Sequence, residues 1–240
     1  MPRSQRMGRG LFITGTDTGV GKTVVAGALA GLLRARGIDV GVMKPVETGC
    51  PRRNGVLLPQ DALYLRERAG VADPLDDICP YPLELPAAPA VAAKAAGILL
   101  DLDRIAARYQ DLAARHHVML VEGAGGLLVP LTDTADATHL IRHLEVPALL
   151  VARTSLGTIN HTLLSCHWAR HLALPLVGVV LNSPTGPPSL SEEANLAALV
   201  TRLPVPLLGR VPFLPDAGAD AARVEGSLDV DRLLALLEHP

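Results

Sequence analysis

The run GTDTGVGKT, from Gly15 to Thr23, gathers glycines, hydroxyls and one ammonium between an apolar stretch and a helical pattern. A helix begins with backbone N–H groups that have no partner within it and with the positive end of its dipole, so such an end attracts anions. A glycine-rich lead-in lets those N–H groups converge on a polyphosphate. A Lys at the helix start can then meet the outer phosphates, and the hydroxyl after it can hold Mg²⁺. Gly19, Gly21, Lys22 and Thr23 supply these parts. The spacing is a variant of GxxxxGK[ST], since position 16 is Thr16 and Gly15 comes one place early. A dinucleotide fingerprint GxGxxG fits less well, because its third Gly would fall on Val24.

Two further charged residues stand where apolar runs end. Lys44 lies in MKPVETG, with Pro45 stopping any continuing ladder and Thr48 four residues on. A second ammonium near a phosphate loop would stabilise charge on a transferring γ-phosphoryl group, the alternative being a solvated loop lysine. Glu122 follows the apolar Val118 to Val121 in VMLVEGAGG and precedes Gly123, Ala124 and Gly125. A carboxylate there can reach Mg²⁺, and small residues beside it allow a ligand close to the backbone. Asp61, at the start of a helical pattern, reads by itself as an N-terminal capping acid. His139 with His143, and His167 with His171, share helical faces at i,i+4. Without HExxH or a third ligand they read as surface or packing residues, and Cys166 reads as core. No GxSxG elbow is present.

These groups need a scaffold. The chain has 240 residues, 49% of them hydrophobic but only 2% aromatic, so its core must be built from Leu, Val, Ile and Ala. That composition suits a parallel sheet buried on both faces. Strands are expected at 10–14, 39–43, 118–122, 148–152, 176–181 and 207–210, and helices at 22–36, 60–69, 101–116, 136–144, 160–172, 191–202 and 229–237. Such alternation gives an α/β fold, mostly parallel with helices on both faces, and ligands beyond the carboxyl ends of the strands. Residues 1–9 read as a disordered tail and 10–240 as one domain, within which 80–97 forms a covering loop and one helix. Lys and Arg number 22 against 24 Asp and Glu, no footprint for nucleic acid or an anionic membrane. No apolar run reaches the roughly 18 residues that a membrane span needs. Three widely spaced cysteines fit a reducing cytoplasm better than a disulfide framework.

Taken together, GTDTGVGKT, KPVETG, the triplet Gln60-Asp61-Ala62, VEGAGG, LGTINH, the strand ending in Asn182 and VPFL resemble, in this order, the dethiobiotin synthetases, a P-loop NTPase-like family. The resemblance covers nearly the whole chain. It implies that ATP, CO₂ and 7,8-diaminopelargonic acid are turned into dethiobiotin, ADP and phosphate. It implies Thr23, Asp61 and Glu122 as ligands of Mg²⁺, and Gly19, Val20, Gly21, Lys22, Thr23 and Val24 around the triphosphate. Lys44 and Lys22 would be the catalytic cations, with Thr18 and Thr48 near the reacting amines and carbamate. Gly123, Ala124 and Gly125 would border the ligands, and Asn182, Ser183, Pro212, Phe213 and Leu214 would receive the adenine. A homodimer is implied, in which Thr158, Ile159 and Asn160 of the other subunit take the substrate carboxylate. Where some relatives carry an acid after the base-binding segment, this chain reads PDAGAD. The chief rival is a switch ATPase of the ParA/MinD kind, whose loop carries a Lys where this chain has Asp17.

Overall fold

Residues 9–214, 224 and 226–238 are described by a computed structural model. Along the chain, strand β1 (Arg9–Gly15) leads through the glycine loop into α1 (Lys22–Ala35) and then β2 (Val40–Met43). Next come β3 (Val46–Thr48), a small hairpin of β4 (Arg52–Arg53) and β5 (Val56–Leu57), α2 (Gln60–Ala69), the single turn α3 (Leu75–Ile78) and β6 (Tyr81–Leu83). Helices α4 (Pro89–Ala95) and α5 (Leu102–Ala113) precede β7 (Val118–Gly126) and α6 (Ala137–Leu144). The last part runs β8 (Ala148–Arg153), α7 (Thr158–His171), β9 (Leu176–Asn182), α8 (Leu190–Val200), β10 (Leu207–Val211) and α9 (Val230–Glu238).

Six strands form one parallel sheet in the order β10-β9-β8-β1-β7-β2. Alternate residues of each strand point to opposite faces. Leu11 and Ile13 of β1 join Val118 and Leu120 of β7 in a core with α1 and α9, while Phe12, Met119 and Val121 join one with α5 and α6. Both faces are therefore apolar, which is why the strands read as unbroken Leu and Val runs. The chain leaves β7 on one side of β1 and enters β8 on the other, and the crevice at this switch point opens above the glycine loop.

Each expected strand and helix is present, with instructive shifts at the ends. β7 does not stop at Glu122 but runs on to Gly126, which pairs with Gly15 after a register shift. A Cβ on Gly126 would lie 3.0 Å from the Gly15 carbonyl oxygen, and one on Gly123 would lie 2.6 Å from the Phe12 ring, so these glycines allow strand and core packing. Helix α5 ends at Ala113 and not at 116, because the amides of His117 and Val118 both turn to the Asp39 carbonyl and the His116 ring bridges Asp39 and Asp73 at 2.9 Å each. Helix α7 starts two residues early, on Gly157 at φ 93°. The segment expected as a covering loop and one helix contains β6 as well as α4. Strand β6 pairs in parallel with β3, just past Pro45, in a second small sheet beside the main one. Residues 1–8 of the expected tail, and the segment PDAGAD at 215–220, lie outside the described residues.

Candidate active site

The glycine loop closes over Lys22. The Lys22 ammonium donates to the Asp17 carbonyl at 3.1 Å, and a Cβ on Gly15 would crowd both Asp17 and the Val20 side chain at 2.8 Å. Close packing against the loop is what requires Gly at 15. Gly19 and Gly21 have φ of 74° and 93°, a region L side chains rarely adopt. Gly21 caps α1 without any side-chain hydrogen bond, so the first N–H groups of the helix are not capped by a side chain of that residue. Val20 faces inward and is fully buried in the core, while its carbonyl accepts a hydrogen bond from Asn182 Nδ2 at 2.9 Å.

Opposite the loop, Lys44 leaves the end of β2 and its ammonium enters a carboxylate pair, 2.5 Å from Glu122 Oε1 and 3.0 Å from Asp61 Oδ2. Thr23 Oγ1 donates to the same Glu122 oxygen at 2.8 Å. Glu122 is 1% exposed, and among the described residues its Oε2 has no hydrogen-bond partner. A buried, orphaned carboxylate oxygen is costly unless a cation or donor meets it. One hydroxyl and two carboxylates converging there form the all-oxygen set that suits a hard divalent cation. Asp61 is thus not the helix cap that its position suggests: its backbone N–H is itself capped, and its carboxylate turns to Lys44.

Burial works against both ammonium groups, with different results. The pKa of Lys22 is pushed down to about 8, by burial first and by the Lys44 charge next, with Glu122, Asp61 and Asp17 opposing. At Lys44 burial is outweighed by Glu122 and Asp61, which raise its pKa and keep it charged. A cavity of about 660 Å³ opens here, lined by Thr18, Gly19, Gly21, Lys22, Thr23, Val24, Lys44, Thr48, Asp61, Glu122, Ala124 and Gly125. Most of the expected phosphate, metal and amine-binding residues therefore meet in one place. Glu47, which sequence reasoning passed over inside KPVETG, lines the same cavity and is buried.

The remaining expected residues do not line this cavity, although Asn182 touches the glycine loop. Asn182 and Ser183 are buried at the end of β9, where the Ser183 amide bonds the Val211 carbonyl, and Pro212, Phe213 and Leu214 follow β10. Thr158, Ile159 and Asn160 form the first turn of α7 and line a separate hollow of about 560 Å³ with the exposed Leu156 and Leu164. A third hollow, of about 680 Å³, runs from Thr18 past Leu128 to Leu164 and Trp168. The histidines make local contacts: His139 completes the α6 capping box with Asp136, His143 meets Asp103, His167 meets Arg170 and His171 stacks on Trp168. Cys50, Cys79 and Cys166 are free and buried, and among the described residues no three His, Cys, Asp or Glu side chains are grouped to hold a metal.

A parallel sheet, a glycine loop at its switch point and a Lys-Thr pair opening the next helix define a P-loop nucleotide-binding protein. A family model described as "AAA domain" matches residues 9–221. The MinC:MinD cell division protein complex of Aquifex aeolicus superposes with a TM-score of 0.58 over 96% of both chains at 16% identity, which shows the shared fold. Sequence comparison narrows the class. The ATP-dependent dethiobiotin synthetase BioD of Anaeromyxobacter dehalogenans strain 2CP-C is 47% identical over 224 residues, 92% of this chain and 96% of that one. The synthetase of the same name from Bacillus velezensis is 34% identical over 232 residues, 96% of this chain and 98% of its own. The chain belongs to the dethiobiotin synthetase family.

Proposed function

We propose that this chain is an ATP-dependent cyclo-ligase that makes dethiobiotin from 7,8-diaminopelargonic acid, CO₂ and ATP. The observation that carries the reading is the Lys44 ammonium held between Glu122 and Asp61 across the cavity from the glycine loop. One substrate amine, as the free base, adds through its lone pair to the carbon of CO₂ and loses a proton, giving a carbamate. The nearby ammonium groups favour that free base over its charged form. A carbamate oxygen then attacks the γ-phosphorus as the bond to ADP breaks. The second amine attacks the carbonyl of the resulting mixed anhydride, phosphate leaves and a proton is lost, closing the cyclic urea.

Lys22 and Lys44 face the phosphoryl group and spread its charge, and the preformed cavity keeps the amines in place of collision. Thr23, Asp61 and Glu122 are the residues that would hold Mg²⁺, and the unpartnered Glu122 Oε2 supports that fit. An ion held there would supply positive charge that offsets the charge of the triphosphate. Thr18 and Thr48 border the amine end of the cavity, and adenine extends toward Asn182, Ser183 and the residues Pro212, Phe213 and Leu214 after β10.

A homodimer completes the site on this reading. Within one chain Thr158, Ile159 and Asn160 do not reach the phosphate cavity, yet Thr18 also borders the hollow that leads to Leu164 and Trp168. Leu128, Leu156 and Leu164 are exposed along this route, an apolar surface suited to a second copy. Three buried free thiols support the cytoplasm as the compartment, and among the described residues no helix is long and apolar enough to cross a membrane. The MinD likeness, at 16% identity, is one of fold alone. Phosphate release in the presence of diaminopelargonate and bicarbonate, matched by formation of a cyclic urea, tests the reading. ATP hydrolysis indifferent to both would overturn it.

A further inference from the structure

We infer that Glu47 is a positioning residue, which by capping the first turn of α2 from strand β3 fixes where the Asp61 carboxylate stands. Helix α2 begins after Pro59, which offers no side-chain acceptor, so its first N–H groups need another partner. Glu47 supplies it with both oxygens: Oε1 accepts from the Asp61 amide and Oε2 from the Ala62 amide, each at 3.0 Å. The cap comes from another strand, since Glu47 sits in β3 and β3 is anchored by its pairing with β6. Between β3 and α2 the chain passes through the exposed hairpin of β4 and β5, which by itself would leave the helix free to slide along its axis. Tyr64 packs so closely on Gly27 of α1 that a Cβ there would lie 2.3 Å from its ring, which sets the spacing of α2 from α1. The carboxylate of Glu47 sets the remaining degree of freedom. Asp61, one of the two residues whose amides it grips, is thereby brought to 3.0 Å from the Lys44 ammonium.

The turnover arm of the test rests on the ligase reading, and the metal arm does not. Glu47→Gln keeps the shape but can accept from only one of the two amides. Glu47→Gln, Asp61→Asn and the double variant are compared for kcat, for KM of ATP and for Mn²⁺ affinity of the ADP complex by electron paramagnetic resonance. A displaced catalytic group is expected to lower kcat of Glu47→Gln by about 10- to 100-fold, with a weaker Mn²⁺ affinity and KM for ATP little changed. Because Glu47 acts through Asp61, the double variant is expected to match Asp61→Asn within about 3-fold in kcat and in Mn²⁺ affinity. Losses that multiply, a kcat loss with Mn²⁺ affinity intact, or a wild-type rate in Glu47→Gln would each overturn the inference. Should the glutamine variant fail to fold, Glu47→Asp carries the same cycle. If the unaltered protein makes no cyclic urea, the ligase reading falls while the Mn²⁺ cycle still decides the role of Glu47.

Discussion

Gly21 shows how closely a single residue is constrained. Its φ of 93° disfavours any L side chain, and a Cβ would lie 2.0 Å from Asn182 Nδ2, the group that braces the loop through Val20. Gly21→Ala must therefore move either the loop or Asn182. Nucleotide affinity is expected to fall by about 10-fold or more, since left-handed strain alone costs roughly 1–2 kcal/mol. A fluorescent-nucleotide titration checks it, and unchanged affinity would show that the loop does not depend on this contact. At Lys44 the expected change is in chemistry: Lys44→Ala should keep nucleotide binding but lose turnover by about 10³-fold, the order seen when one donor to a developing charge is removed. Steady-state rates with retained nucleotide binding are the readout. Gly19, Gly21, Lys22 and Thr23 were legible because few sequences outside a phosphate loop have use for that order. Asp61 was singled out as a site residue only through the family resemblance, because by itself a helix-start acid has two roles of similar local appearance, and Glu47 inside KPVETG was passed over. Only the fold shows that Glu47, fourteen positions earlier, had already taken the capping role.

Among the elements, α6 carries the clearest local signal. Asp136 accepts from the Thr138 amide at 2.8 Å and the His139 amide at 3.3 Å, while the His139 ring accepts from the Asp136 amide. Burial pushes the Asp136 pKa up, but the hydrogen bonds from Thr138 and His139 outweigh it and hold the carboxyl below its ordinary value. A carboxyl with a depressed folded pKa stabilises above its unfolded pKa and loses that contribution as pH falls through the folded one. Asp136→Ala is thus expected to cost about 1 kcal/mol at pH 7 and progressively less below about pH 4, measured by denaturant unfolding across that range. A penalty independent of pH would contradict the capping role. The six sheet strands were legible from their apolar runs, since both faces are buried in all of them but the edge strand β10. Strands β3 and β6 were not, being three residues each and held by pairing with one another more than by local propensity. The end of β7 was misread for a related reason: glycines usually mark a turn, yet here Gly126 pairs with Gly15 inside the sheet.

For the whole molecule, the separation between the phosphate cavity and the first turn of α7 decides how many chains make one site. Within a chain Thr158, Ile159 and Asn160 border a different hollow, with exposed Leu156 and Leu164 beside them. If the partner subunit supplies that turn, mixing an Asn160→Ala protein with a Lys44→Ala protein is expected to restore part of the activity, because one of the two sites in each heterodimer has both residues intact. No recovery, with subunit exchange confirmed, would place the whole site in one chain. The overall architecture was legible from alternation of strand and helix, whereas the expectation of a homodimer rests on the family resemblance alone, since an exposed Leu in a sequence looks like any other. The central claim is that phosphate leaves from a carbamate and is not transferred to water. With ¹⁸O-labelled CO₂ read before exchange with solvent, the released phosphate is expected to carry one labelled oxygen per molecule, because the oxygen that attacks phosphorus stays with it. Phosphate free of label from CO₂, formed alongside the cyclic urea, would contradict the account.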